Sequence, residues 1–122
     1  MGCLFGELHR AMDRATPNLE ERKALEANRR RAAADSVMDA LERYAKAHGG
    51  RFHVVGSAVT GQMRYDSDLD VLVEFPPNHE HDAFTFVEDL CIEHRLPLDA
   101  LAFRTMSARF LARNADRMVT FG

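Results

Sequence analysis

Asp68 and Asp70 stand two residues apart in Ser67-Asp68-Leu69-Asp70-Val71-Leu72-Val73. In an extended strand that spacing points both carboxylates to one face and sends Leu69, Val71 and Val73 to the other. Two like charges held side by side repel, and a divalent cation offsets the repulsion. Mg²⁺ in particular binds through one or two carboxylates plus the phosphates of a substrate. A third acid, Asp99 in Leu98-Asp99-Ala100-Leu101-Ala102-Phe103, joins the pair if its strand lies beside theirs. Three carboxylates can hold two ions roughly 3.5–4 Å apart, the clamp used for in-line displacement at phosphorus. Asp99 is also a competent base for an attacking hydroxyl. Upstream, Gly56-Ser57 closes the apolar run Phe52-His53-Val54-Val55. Glycine lets a phosphate approach the backbone, a strand-to-helix junction presents N–H groups to an anion, and a serine hydroxyl can donate to a phosphate oxygen. A phosphate cradle one strand away from a metal-binding acid pair is what a nucleoside triphosphate requires.

Gly56-Ser57, Gly61, Ser67-Asp68-Leu69-Asp70 and the later Asp99 together resemble the pattern of the nucleotidyltransferase superfamily related to DNA polymerase β. The short length is similar to its minimal nucleotidyltransferase branch, often found as the antitoxin partner of a HEPN-domain toxin. The resemblance covers residues 51–103 and takes in the flanking helices only loosely. It implies the polymerase β-like fold, ATP as substrate and two Mg²⁺ ions held by the catalytic acids Asp68, Asp70 and Asp99. It implies nucleotide contacts from Gly56, Ser57, Ser67 and Arg64, and transfer of AMP to a hydroxyl with release of pyrophosphate. It also implies an acceptor carried by a protein partner, a HEPN-type toxin, since a chain this small has little surface left for a dedicated small-molecule pocket. One departure stands out. Family members commonly carry an arginine between the Gly-Ser pair and the second glycine, where this chain has Ala58, Val59 and Thr60; Arg64 or Arg104 is the candidate substitute. Two alternatives stay open: a binding module that neutralises a partner by occlusion, and a transferase acting on a small molecule such as an aminoglycoside.

The elements that must position these groups follow from hydrophobic spacing. Leu4, Phe5, Leu8 and Met12 suit a short amphipathic helix over residues 3–15, broken at Thr16-Pro17. Asn18 followed by Glu21 reads as a capping box that opens a long helical run ending at Gly49-Gly50, with Val37, Leu41, Tyr44 and Ala45 as its buried stripe. Arg29-Arg30-Arg31 in its first half reads as a solvated face. Strands are predicted over 52–55, 68–75 and 98–103, with a short helix over 57–63 and another from Phe84 to His94. A closing helix is expected over 106–118. The predicted class is α/β (α+β), a small mixed sheet flanked by helices, in one domain over 1–122. Within it, 1–50 is a helical part, 51–103 the catalytic core and 104–122 a C-terminal helix.

Composition narrows the classes further. With 122 residues, 46% of them hydrophobic and 29% charged, the chain reads as one globular domain. A net charge of −3 argues against a nucleic-acid coat protein, so no direct nucleic-acid binding is expected. Two cysteines, Cys3 and Cys91, make no disulfide framework and read as small apolar groups in a reducing, cytoplasmic compartment. No apolar run is long enough for a membrane span, and the sparsely apolar first half of the long helix leaves a homo-oligomer open. A calcium loop built on Asp66, Asp68 and Asp70 fails, because the glycine and glutamate it needs are replaced by Val71 and Pro77. His79-Glu80-His81-Asp82 reads as solvated histidines beside an N-capping Asp82, His53 as a strand residue of no catalytic role, and Tyr44 as core and Tyr65 as loop shielding.

Overall fold

The computed structural model describes residues 18–122; the helix expected over 3–15, its break at Thr16-Pro17 and Cys3 lie outside the described residues. Helix α1 runs unbroken over Leu19–His48. Asn18 opens it by accepting from the Glu21 N–H at 2.8 Å, and its amide donates back to the Glu21 carboxylate at 3.3 Å. Gly49 ends it at φ 71°, a left-handed turn that costs a glycine nothing. Ala33, Ala34, Val37, Leu41 and Ala45 form its buried stripe.

Four strands follow, β1 over Arg51–Val55, β2 over Leu69–Glu74, β3 over Leu98–Ala102 and β4 over Met118–Phe121, in the sheet order β3-β2-β1-β4. β1 is antiparallel to both β2 and β4, while β2 and β3 run parallel. A parallel pair needs a crossover, supplied by helix α3 over Pro77–Glu93. The short helix α2 spans Ser57–Thr60 and α4 spans Ala108–Asn114. The result is the mixed sheet flanked by helices that the hydrophobic pattern predicts. No helix among the described residues is long and apolar enough to cross a membrane.

The period of two divides the sheet into working faces. Phe52, Val54, Leu69, Val71 and Val73 pack into one cluster with Val37 and Leu41 of α1 and Ala83, Val87 and Cys91 of α3. Each large side chain removed from water there stabilises the fold by ~1.5–3 kcal/mol. Tyr44 joins this packing, its ring stacked on Phe86 at 4.0 Å between centroids. The opposite face carries His53, Val55, Asp70, Leu72, Glu74 and Asp99, and the C-terminal segment covers part of it: His53 is hydrogen-bonded to Thr120 and Glu74 at 2.8 and 2.9 Å and stacked on Phe103.

Four expectations are corrected. The closing helix over 104–122 is confined to Ala108–Asn114, and Met118–Phe121 is a strand because its backbone satisfies the open edge of β1. α3 begins at Pro77, whose ring presets φ at the first helical position, so Asp82 lies inside the helix and caps nothing. The helix expected over 57–63 stops at Thr60, where Gly61 turns left-handed at φ 74°. β2 begins at Leu69, leaving Asp68 exposed on the turn just before it.

Candidate active site

The arginine triplet is no solvated face. Arg30 donates through Nη1 to the Ser67 carbonyl at 2.8 Å, directly ahead of Asp68, and Arg31 reaches the Met63 carbonyl at 3.2 Å. Arg29 donates to the carbonyls of His94 and Arg95 at 3.0 and 2.7 Å, in the turn that leads to β3 and Asp99. Glu26 bonds both Arg29 and Arg30 at 2.6 and 2.9 Å, and those hydrogen bonds lower its pKa to about 2. The Leu69 N–H donates to the Pro97 carbonyl at 2.8 Å, tying the two turns together. The first half of α1 therefore fixes the approaches to both acid-bearing strands.

Asp70 and Asp99 are register partners across the parallel β2–β3 pair, and Val55 is the partner of Asp70 on its other side. Register partners share a face, on strands ~4.8 Å apart. Gly56 follows Val55 at φ 90°, ψ −138°, a conformation open to glycine alone, and a Cβ there would lie 3.5 Å from Asp70 Oδ2. Gly56, Asp70 and Asp99 line one cavity of about 250 Å³, with Val55, Leu72, Phe110, Asn114 and Arg117 among its other walls. Burial first, then the charges of Asp68 and Asp99, push the Asp70 carboxyl up to about 6. That value marks an acid whose charge is disfavoured first by burial and then by like-charged neighbours, a condition that a cation relieves.

The remaining predicted residues do not line this cavity. Asp68 acts on Asp70 through its charge from the preceding turn. Ser57 is the first residue of α2, and the N-cap is Gly56. Ser67 closes the turn by accepting the Arg64 N–H at 2.8 Å, while the exposed Arg64 side chain lies 3.9 Å from Asp66. The Gly56 N–H is spent on the Arg117 carbonyl at 2.9 Å, so this glycine offers close approach rather than a free donor. Arg104 is held on Glu80 at 2.9 and 3.1 Å, which removes it as a substitute for the missing arginine.

Phe110, Asn114 and Arg117 are the lining residues that spacing alone missed. The signal for them lies in Asn114-Ala115-Asp116-Arg117, a polar interruption followed by the strand-like Met118-Val119-Thr120-Phe121.

The donor set is carboxylate oxygen throughout, the type a hard divalent cation takes, and the raised Asp70 carboxyl fits a site completed by positive charge. Among the described residues no three His, Cys, Asp or Glu side chains are gathered closely enough to hold an ion as they stand. The acids are aligned by strand register rather than closed into a cage.

A family model described as a nucleotidyltransferase domain matches residues 35–113, well over half of the chain. No curated protein and no solved structure matches it.

Proposed function

The chain belongs to the nucleotidyltransferase domain family, and on that premise we propose that it transfers AMP from ATP to a hydroxyl of a partner protein. The observation that carries the reading is the alignment of Asp70 with Asp99 beside Gly56 in one cavity, with Asp68 one turn away. Asp68, Asp70 and Asp99 would hold Mg²⁺, which supplies neutralisation of phosphate charge when bound. Gly56 admits the triphosphate close to the backbone, and the Ser57 hydroxyl stands at the start of α2 as a donor to it. The acceptor oxygen bonds to the α-phosphorus, the bond from that phosphorus to the bridging oxygen breaks, and pyrophosphate leaves with the electron pair. Asp99 takes the hydroxyl proton. Its exposure on the edge strand supports this role, because a bulky acceptor can reach it there.

The acceptor is assigned to a tyrosine hydroxyl on a HEPN-type toxin, and the chain acts as the antitoxin. Resemblance to the minimal nucleotidyltransferase branch supports the assignment. Occlusion without transfer is the second reading, favoured by Ala58, Val59 and Thr60 where an arginine is usual. The test is incubation with Mg-ATP and co-purified proteins, followed by mass spectrometry for an AMP adduct, with Asp70→Asn as control. An adduct made by the wild type alone supports transfer. An equal adduct from Asp70→Asn overturns the acid assignment, and a stable complex without an adduct favours occlusion.

A further inference from the structure

We infer that Arg117 is the cation that grips the triphosphate tail, a role that rests on the nucleotidyl-transfer reading above and extends it to a residue outside the family's turn. The turn between Gly56 and Gly61 carries no charge. The other candidates are occupied or displaced: Arg104 is paired with Glu80, Arg29 and Arg30 share Glu26 and donate to backbone carbonyls, and Arg64 is outside the cavity lining.

Arg117 differs from them in each respect. It lines the cavity together with Gly56, Asp70 and Asp99. Its main chain is tied to the glycine turn, since its carbonyl accepts the Gly56 N–H at 2.9 Å. Its guanidinium donates through Nη2 to Asn114 Oδ1 at 3.0 Å. Asn114 is only 7% exposed and is itself anchored by donating to the Phe110 carbonyl at 2.9 Å. A neutral acceptor orients a guanidinium and leaves its charge intact, whereas a carboxylate cancels it. Among the described residues Arg117 has no carboxylate within ion-pair distance. A positive charge with no carboxylate partner thus lines the same cavity as Asp70 and Asp99. The remaining N–H groups of its planar fork match the oxygens of a polyphosphate. Divalent cations on the acids and the Arg117 guanidinium would then contact the same triphosphate in the cavity that Gly56 also lines.

The experiment is a calorimetric titration of the wild type and of Arg117→Ala, Arg117→Lys and Arg43→Ala with Mg-ATP and with AMP. Thermal melts of each variant establish that it is folded; the Gly56 bond uses the Arg117 main chain and survives every substitution. Arg117→Ala is expected to weaken Mg-ATP about 10- to 100-fold and to leave AMP within about twofold, with Arg117→Lys recovering part of the loss. Arg43, an exposed arginine of α1 outside the cavity lining, is the control, and Arg43→Ala is expected to stay within about twofold of wild type for both ligands. Wild-type affinity for Mg-ATP in Arg117→Ala would overturn the assignment, as would an equal loss for AMP, which signals a general disturbance of the site. A wild type that binds no nucleotide at all refutes the nucleotidyl-transfer reading, and the role of Arg117 with it.

Discussion

Replacing Asp70 with asparagine should make the metal-free protein more stable at neutral pH while removing its ability to transfer a nucleotidyl group. Burial and the neighbouring charges of Asp68 and Asp99 raise the Asp70 carboxyl from 3.8 to about 6. Between those values the folded chain binds more protons than the unfolded one. The favourable contribution is therefore fully present below about pH 3.8 and is lost as pH rises through about 6. A shift of about two units corresponds to ~3 kcal/mol at neutral pH. Asp70 is only partly buried, so solvent screening reduces this to ~1–2 kcal/mol. Asparagine keeps the shape and removes the charge. In a domain of this size that is a rise in melting temperature of roughly 3–10 °C. Thermal melts of wild type and Asp70→Asn at about pH 7.5 and about pH 4.5 measure it, and the gap should narrow at the lower pH. Added Mg²⁺ at about pH 7.5 should raise the wild type and leave the variant where it is. An asparagine variant that melts at or below wild type at neutral pH, or a gap indifferent to pH, refutes the argument that burial and neighbouring acids make the Asp70 charge costly.

Leu41 is fully buried at the centre of α1, and Leu41→Ala should cost about 2–5 kcal/mol in urea denaturation through the cavity it leaves. Arg30→Ala removes the bond to the Ser67 carbonyl and one partner of Glu26. It should cost about 1–2 kcal/mol and lower the transfer rate under conditions where the variant is fully folded, because Asp68 follows Ser67 directly. Cys91 is buried, and desolvation pushes its thiol up to about 11. In the native protein at about pH 8 the peptide containing Cys91 should stay unalkylated by iodoacetamide and become labelled only in denaturant, as peptide mass mapping would show.

The chemistry was legible where it coincided with local periodicity. Asp68 and Asp70 stand out because Leu69, Val71 and Val73 alternate with them, whereas the place of Asp99 depends on its strand lying beside theirs, which only the β2–β3 pairing supplies. The boundaries of α1 were readable from Asn18, Glu21 and Gly49, where capping is a matter of a few adjacent atoms. What escaped depends on contacts distant in sequence. A run of three arginines on a helix looks the same whether it meets water or carbonyls more than thirty residues away, as Arg30 meets Ser67. Phe110, Leu111 and Ala115 fit a helical stripe as well as a short helix that stops at Asn114, and the strand after it exists because β1 has an edge to fill. Gly56 signals a point of close approach, but the partner of its N–H, Arg117, lies far along the chain in the C-terminal segment.

Because acids and core side chains share β2 on alternating sides, this protein tolerates exchange of letters there far better than a change of count. Inserting or deleting a single residue between Ser67 and Val73 would turn the aliphatic side chains toward solvent and drive a carboxylate under α1, abolishing packing and chemistry in one step. Natural variation and protein engineering should thus keep the length of this strand fixed and exchange only one aliphatic side chain for another along its buried side.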